Sequence, residues 1–247
     1  MEKLRLIIDP PASGAWNMAV DESLLQSASE QGIATLRFYQ WQPATLSLGY
    51  FQKSANRVLH EPSEACDLVR RASGGGAILH HHELTYSYAF PVENPRSERV
   101  TSLFDQFHEA LIRCLGQLGV ESHLYGNPKH EQGSEKPFLC FQRRSSVDVI
   151  VDGYKVCGSA QRRGKNAVLQ HGSVLVNRSE YAPELPGLND LGASKLTLTS
   201  LTNAWLEELS PVLGVSYDPA ELSDQEKESA ISISTQKFGN STWSHKK

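Results

Sequence analysis

Residues 70–76 read Arg-Arg-Ala-Ser-Gly-Gly-Gly and lie between two short strand-like runs, Asp67–Arg70 and Ala77–Leu79. Three consecutive residues without side chains do not extend a helix or a strand, so the chain must turn here. Glycine accepts φ > 0 and lets a ligand approach the main chain closely. Successive N–H groups in such a turn form a concavity suited to negatively charged oxygen. Alone, Gly74-Gly75-Gly76 reads as a tight hairpin; the two fixed positive charges of Arg70 and Arg71 turn the expectation toward a cradle for an acyl group, carboxylate or phosphate. The spacing is neither GxxxxGK[ST] nor a GxGxxG opening a helix.

Around this turn the hydrophobic pattern alternates between two periods. Leu4–Ile8, Thr35–Trp41, Thr45–Tyr50 and Leu84–Phe90 read as strands, with Pro43 breaking the second from the third. Gly14–Ala28 carries Trp16, Ala19, Val20, Leu24 and Leu25 near a 3.6 period. Ser102–Leu118 puts Leu103, Phe107, Ala110, Leu111 and Cys114 on one helical face, and Gly119 ends it. Tyr125–Pro137 is a long polar loop, a kind of segment often functional inside a compact domain. Val147–Val151, Lys155–Arg162 and Ala167–Val176 predict a meander, and Leu201–Leu213 and Asp218–Lys237 two further helices. Adjacent strands with interspersed helices predict an α+β fold: mixed, largely antiparallel sheets flanked by helices. No repeat or low-complexity linker divides residues 1–247, so one domain is expected.

The net charge of −4 argues against nucleic acid as a partner. No apolar run approaches the roughly 18 residues of a membrane span, and Met1–Asp9 carries too short an apolar stretch for a signal peptide. The four cysteines lack CxxC spacing, which predicts reduced thiols in a cytoplasmic protein and no zinc site.

Four clusters could carry chemistry. Cys140 follows the long loop in Pro-Phe-Leu-Cys-Phe, with Arg143 and Arg144 just beyond. Cationic neighbours favour the thiolate, the reactive form of cysteine. Cys66, Cys114 and Cys157 fit the commoner role of small core hydrophobes. Lys155 stands on a turn and strand that continue into Gly158-Ser159-Ala160, whose small side chains leave room for a substrate. Of His80, His81 and His82, successive strand residues point to opposite faces, so a shared metal is not expected; His80 is the pocket candidate, with His171 as a second. Arg143, Arg144, Arg162, Arg163 and Lys165 concentrate positive charge in an acidic chain and suit a docking patch for an acidic partner.

Together the segments resemble the lipoate/octanoate transferase and ligase superfamily, which also contains the biotin protein ligases. The resemblance runs from about Asp9 to Trp243. It rests on Trp16–Glu22, on Leu36–Tyr39 with Pro43–Gln52, on Arg70–His80, and on Gly153–Gln161 with Gln170–Ser173. Cys140-Phe141, shortly before the Lys155 segment, is most similar to the cysteine-dependent octanoyltransferase branch. The resemblance implies a biotin/lipoate protein ligase-like catalytic domain, with Cys140 and Lys155 as catalytic residues. Arg70, Arg71, Ser73, Gly74, Gly75, Gly76, His80, Gly158, Ser159 and Ala160 would bind substrate, and Arg143, Arg144, Arg162 and Arg163 would dock partners. It implies octanoyl-acyl carrier protein as donor and a lysine of a lipoyl domain or glycine-cleavage H protein as acceptor, both generally acidic. No cofactor is implied. The alternatives are an ATP- and Mg-dependent lipoate–protein ligase working through lipoyl-adenylate, and a non-catalytic binder of acyl chains or lipoyl domains. Many of those ligases need an accessory domain, for which a chain ending at Lys247 is expected to have no room. Two positions depart from the transferase pattern: Gly76 stands where arginine is frequent, and Arg143-Arg144-Ser145-Ser146 replaces a more apolar stretch.

Overall fold

The computed structural model describes residues 1–126, 137–193 and 195–246. The loop expected over Tyr125–Pro137 therefore lies almost wholly outside the described residues. Strands β1 (Glu2–Ile8), β2 (Thr35–Tyr39), β3 (Thr45–Leu48), β4 (Asp67–Arg70), β5 (Ile78–His80) and β6 (Glu83–Pro91) occupy the first half of the chain, with helix α1 (Gly14–Gln31) after β1. Helix α2 (Glu98–Gln117), strands β7 (His123–Leu124), β8 (Val149–Val151), β9 (Tyr154–Arg163) and β10 (Ala167–Leu175), helix α3 (Leu198–Leu213), strand β11 (Val215–Pro219) and helices α4 (Asp224–Ile233) and α5 (Ser241–Ser244) complete it.

Eight strands form one sheet in the order β11-β1-β2-β6-β10-β9-β8-β7. β1 runs parallel to both neighbours, and the remaining pairings are antiparallel. Alternation along each strand separates two faces. Leu4, Leu6, Leu36, Phe38, Leu84 and Tyr86 meet Phe107 of α2 and Trp205 of α3 on one side. Ile7, Tyr39, Ala89 and Leu169 meet Met18, Val20 and Leu24 of α1 and Ala230 of α4 on the other. The α+β expectation, with mixed sheets flanked by helices, describes this arrangement.

A second sheet, β4-β3-β5, has its own small core of Leu46, Leu48, Ala77, Leu79 and Leu139. Here the hairpin reading of the glycine turn fails. β4 pairs with β3 in parallel and β5 pairs with β3 antiparallel, so residues 71–77 cross from one edge of β3 to the other. A hairpin would pair β4 with β5; β3 intervenes, a long-range pairing that local pattern does not reveal. The expected helix Asp218–Lys237 also needs correction. Val215–Pro219 is a strand beside β1, and the helix begins after Ser223, whose hydroxyl accepts from the Glu226 amide while Glu226 accepts from the Ser223 amide. A π-helical turn, Ser234–Phe238, follows α4.

Candidate active site

A cavity opens between the two sheets. Its apolar wall comes from Met18 of α1, Tyr39, Trp41, Ile78 and Phe141. Its polar residues come from the glycine loop, the Cys140 turn and strands β5, β6, β9 and β10, and Cys140 and Lys155 both line it. The two residues expected to perform chemistry thus share one chamber, together with Arg71, Gly74, Gly75, His80, Gly158, Ser159, Ala160 and His171.

The nucleophile candidate is held by main-chain bonds. The Ala77 amide donates to Phe138 O at 3.0 Å and the Cys140 amide to Ala77 O at 2.7 Å, which zips residues 138–140 onto the end of the glycine turn. Cys140 then starts a 3₁₀ turn, and its Sγ lies 3.9 Å from where a Cβ on Gly75 would stand. Gly75 has φ +99, a region costly for other residues. Gly49 must be glycine for a different reason: a Cβ there would lie 2.1 Å from Gly75 O. The other three cysteines are buried, and burial pushes their thiols up, that of Cys114 to about 12. Cys140 is half-exposed.

The two arginines ahead of the glycines point inward. Arg70 is fully buried and donates to the carbonyl oxygens of Gly49, Tyr50, Gln52, Trp243, Ser244 and Lys246. It does not line the cavity, so its expected substrate contact is corrected: its donors are spent tying the 49–52 loop to the C-terminal segment. Arg71 does border the cavity, but its guanidinium donates to Ser47 O, Ser47 Oγ, Gly74 O and Gly76 O. Burial lowers its pKa to about 10, which leaves it charged at neutral pH. It braces the glycine loop from behind while holding a positive charge under it.

Lys155 is buried, with Nζ 2.8 Å from Asp148 Oδ2 and 5.6 Å from the centre of the Phe141 ring. Gly158 makes this placement possible, because a Cβ there would stand 2.4 Å from Lys155 Cε and 2.7 Å from Nζ. The small residue expected to admit substrate also admits the lysine itself. Burial pushes the Asp148 carboxyl above its ordinary value, against the pull of the Lys155 ammonium. Asp148 was missed in the sequence. Its signal is an acid inside the apolar run Val147-Asp148-Val149-Ile150-Val151, which demands a partner.

His80 stacks on Trp41 at 3.8 Å, shares a hydrogen bond with Ser47 Oγ at 2.6 Å and bonds Glu83 through Nδ1. Burial holds its imidazole below the ordinary value even though Glu83 acts the other way. Ser73 and Gly76 do not line this cavity. Ser73 Oγ bonds His171 Nε2 at 2.6 Å, and His171 Nδ1 lies 3.5 Å from Asp21. Burial opposes ionisation of Asp21, but His171, Arg37 and Ser87 outweigh it and hold the carboxyl below its usual value.

Gly76 is covered by an arginine. A Cβ on it would lie 2.8 Å from Arg143 Nε and 3.0 Å from Cys140 Cα. The two departures from the transferase pattern therefore meet in space, with the Arg143 guanidinium filling the room that a side chain at 76 would need. The four arginines expected as one docking patch divide. Arg143 and Arg144 flank the Cys140 turn, donating to Pro137 O and to Phe141 O. Arg162 reaches Ala72 O, whereas Arg163, the next residue on β9, reaches Thr101 Oγ1 on the α2 side. Strand alternation sends the last two to opposite faces. It does not govern His81 and His82, which lie beyond the end of β5. Their rings stack at 3.5 Å, and His81, His82 and Glu180 form the one potential metal-ligand cluster found among the described residues.

Comparison with known proteins places this geometry in a wider setting. The family model described as lipoyl protein ligase A/B catalytic domain matches residues 13–184. The octanoyltransferase LipM of Bacillus subtilis is 32% identical over 276 residues, spanning 100% of this chain and 99% of the relative. The octanoyltransferase LipM of Carboxydothermus hydrogenoformans is 32% identical over 268 residues, spanning 98% of each. Among solved structures, a putative lipoate protein ligase from T. acidophilum superposes with a TM-score of 0.81 at 22% identity, covering 99% of both chains. Lipoate-protein ligase A bound with ATP gives 0.80 at 21% identity, again over 99% of both. At these identities the solved structures establish the fold.

Proposed function

The chain belongs to the lipoyl protein ligase A/B catalytic-domain family, and from that membership we propose how its cavity performs acyl transfer. The protein is an octanoyltransferase that acylates a lysine of a lipoyl-domain protein, in line with relatives of that name matched over their whole length. The donor is octanoyl-acyl carrier protein, and a glycine-cleavage H protein is an acceptor of the same kind. One observation carries the mechanism: Cys140 and Lys155 line the same cavity.

The Cys140 thiolate attacks the donor's thioester carbonyl. The tetrahedral oxyanion collapses, the carrier's thiolate leaves and takes a proton, and octanoyl-Cys140 remains. One thioester replaces another, so little driving force is needed. The acceptor's ε-amine then attacks, the Cys140 thiolate is expelled, the nitrogen loses its proton, and an amide forms downhill. This is covalent catalysis in two acyl-transfer steps. Lys155, presented from β9, faces the reacting centre, where an ammonium would stabilise negative charge on sulfur and oxygen and a neutral amine would take the acceptor's proton. Met18, Tyr39, Trp41 and Phe141 receive the chain; its seven saturated carbons contribute roughly 5.6 kcal/mol at roughly 0.8 kcal/mol each. Arg143 and Arg144 beside the nucleophile meet the acidic partner.

No cofactor takes part; ATP and Mg belong to the ligase alternative. The test is intact-mass spectrometry after mixing the chain with octanoyl-acyl carrier protein in the absence of ATP. One octanoyl group should appear, localised to Cys140, and Cys140→Ala should neither gain it nor transfer it. An adduct that requires ATP, or transfer by Cys140→Ala, overturns the thiol mechanism.

A further inference from the structure

We infer that Asp148 is a positioning residue that fixes both the charge and the aim of Lys155, so that Lys155 acts as a permanent ammonium and not as a base. The inference rests on the acyl-transfer reading of the cavity and decides a step that this reading leaves open: the lysine could stabilise negative charge as a cation or take the acceptor's proton as a neutral amine.

The geometry favours the cation. Asp148 is 2% exposed and Lys155 6%. Asp148 Oδ2 lies 2.8 Å from Nζ and also accepts from the Ser145 amide at 2.7 Å. The Asp148 amide donates back to Ser145 O at 3.0 Å, so the carboxylate is locked in a closed turn. Its carbonyl accepts from the Tyr125 amide, which pins the turn to the end of β7. On the lysine's other sides stand the Phe141 ring and the gap left by Gly158. The side chain thus has one well-packed position, aimed at the cavity.

The other titratable groups nearby do not replace Asp148. His108 of α2 is pushed down to about 4 by burial and is neutral at working pH. Burial pushes the Cys157 thiol of β9 up, so it is uncharged too. Arg144 is a cation close enough to act on Asp148, and Arg71 is a cation under the glycine loop. Cys140 is the group whose charge Lys155 is there to balance. Without Asp148, a buried amine beside these neighbours favours its neutral form.

Asp148→Asn keeps the shape and the acceptor for the Ser145 amide but removes the charge. The rate of Cys140 acylation, and separately the rate of its alkylation by iodoacetamide, are compared with the native chain between about pH 6 and about pH 8. The variant's deficit should widen as pH rises, from within about threefold to roughly 100-fold, the scale of losing one preorganised charge. A variant faster than the native chain, with the gain largest at low pH, would identify Lys155 as a base. An equal deficit at every pH would make Asp148 a scaffold only. Either overturns the inference. Asp148→Glu, which keeps the charge, should show no such widening with pH; should Asp148→Asn fail to fold, Asp148→Ser takes its place, with the same widening expected and the same two outcomes overturning the inference. If the native chain forms no acyl-enzyme, the acyl-transfer reading fails, while the alkylation series still tests Asp148.

Discussion

Replacing Gly158 by alanine separates the stability of this cavity from its chemistry. The added methyl would stand 2.4 Å from Cε and 2.7 Å from Nζ of Lys155, and 3.2 Å from Asp148 Oδ1. The obstructing atoms are the end of a flexible side chain, so the lysine swings away while the strand stays in place. Overpacking of a core costs about 1–3 kcal/mol; with only a lysine tip to displace, about 1–2 kcal/mol is expected. That lowers the melting temperature by about 3–6 °C for a chain of this size. The displaced ammonium can no longer face both Asp148 and the reacting carbonyl. Loss of one aligned donor costs about 10²–10³ in rate, or about 2.7–4 kcal/mol. Rapid-quench single-turnover acylation read by intact mass measures the second number, and thermal unfolding the first. Lys155→Met/Gly158→Ala should be no slower than Lys155→Met alone, because both act through one amine. Acylation by Gly158→Ala within about threefold of the native rate would refute the assigned position of Lys155.

Two further outcomes follow from the loops. Arg70→Met removes six donor contacts to main-chain oxygens. A single charge-assisted bond contributes about 1.5–3 kcal/mol, and shared ones do not add, so about 3–5 kcal/mol of stability should be lost in urea unfolding; unchanged stability with a raised KM would return Arg70 to substrate binding. Gly76→Ala should slow Cys140 alkylation by displacing Arg143, and Arg143→Ala should relieve part of that loss. A double-mutant cycle should give a coupling of about 1 kcal/mol or more, whereas additivity within about 0.5 kcal/mol would mean that the two positions act separately.

Much of the fold could be read from local pattern, because burial on a two-faced sheet imposes strict alternation. Leu36 and Phe38 face α2 and α3 while Tyr39 faces α1, as the strand pattern of Thr35–Trp41 implies. What failed was non-local. That β3 separates β4 from β5 depends on a pairing absent from either strand's own sequence. β11 is a short run ending in Asp-Pro that becomes a strand because β1 offers it an edge. The cavity residues Cys140, Lys155, Gly74 and Gly75 were legible as motifs, but the partners of charged groups were not. Arg70 and Arg71 read as free cations beside glycines. In the fold, the irregular loops around them expose so many carbonyl oxygens that the guanidiniums are consumed satisfying them.

The same bonds explain why the site is built from loops and yet can be exact. Lys155 belongs to β9, deep in the large sheet, whereas Cys140 belongs to a segment with no strand of its own. Residue 77 holds that segment by exchanging two main-chain bonds with it, and Gln52 adds a side-chain bond to Phe138 O while capping the Gly49 amide. Arg71 then clamps Gly74 O and Gly76 O from beneath. Nucleophile, glycine loop and 49–52 loop form one stitched body on the small sheet. Asp148, just ahead of β8 and pinned to the end of β7, holds the lysine from within the large sheet. The aim of the amine toward the sulfur therefore rests on one ion pair inside the large sheet, and acyl transfer should be more sensitive to that pair than to any single residue of the apolar wall.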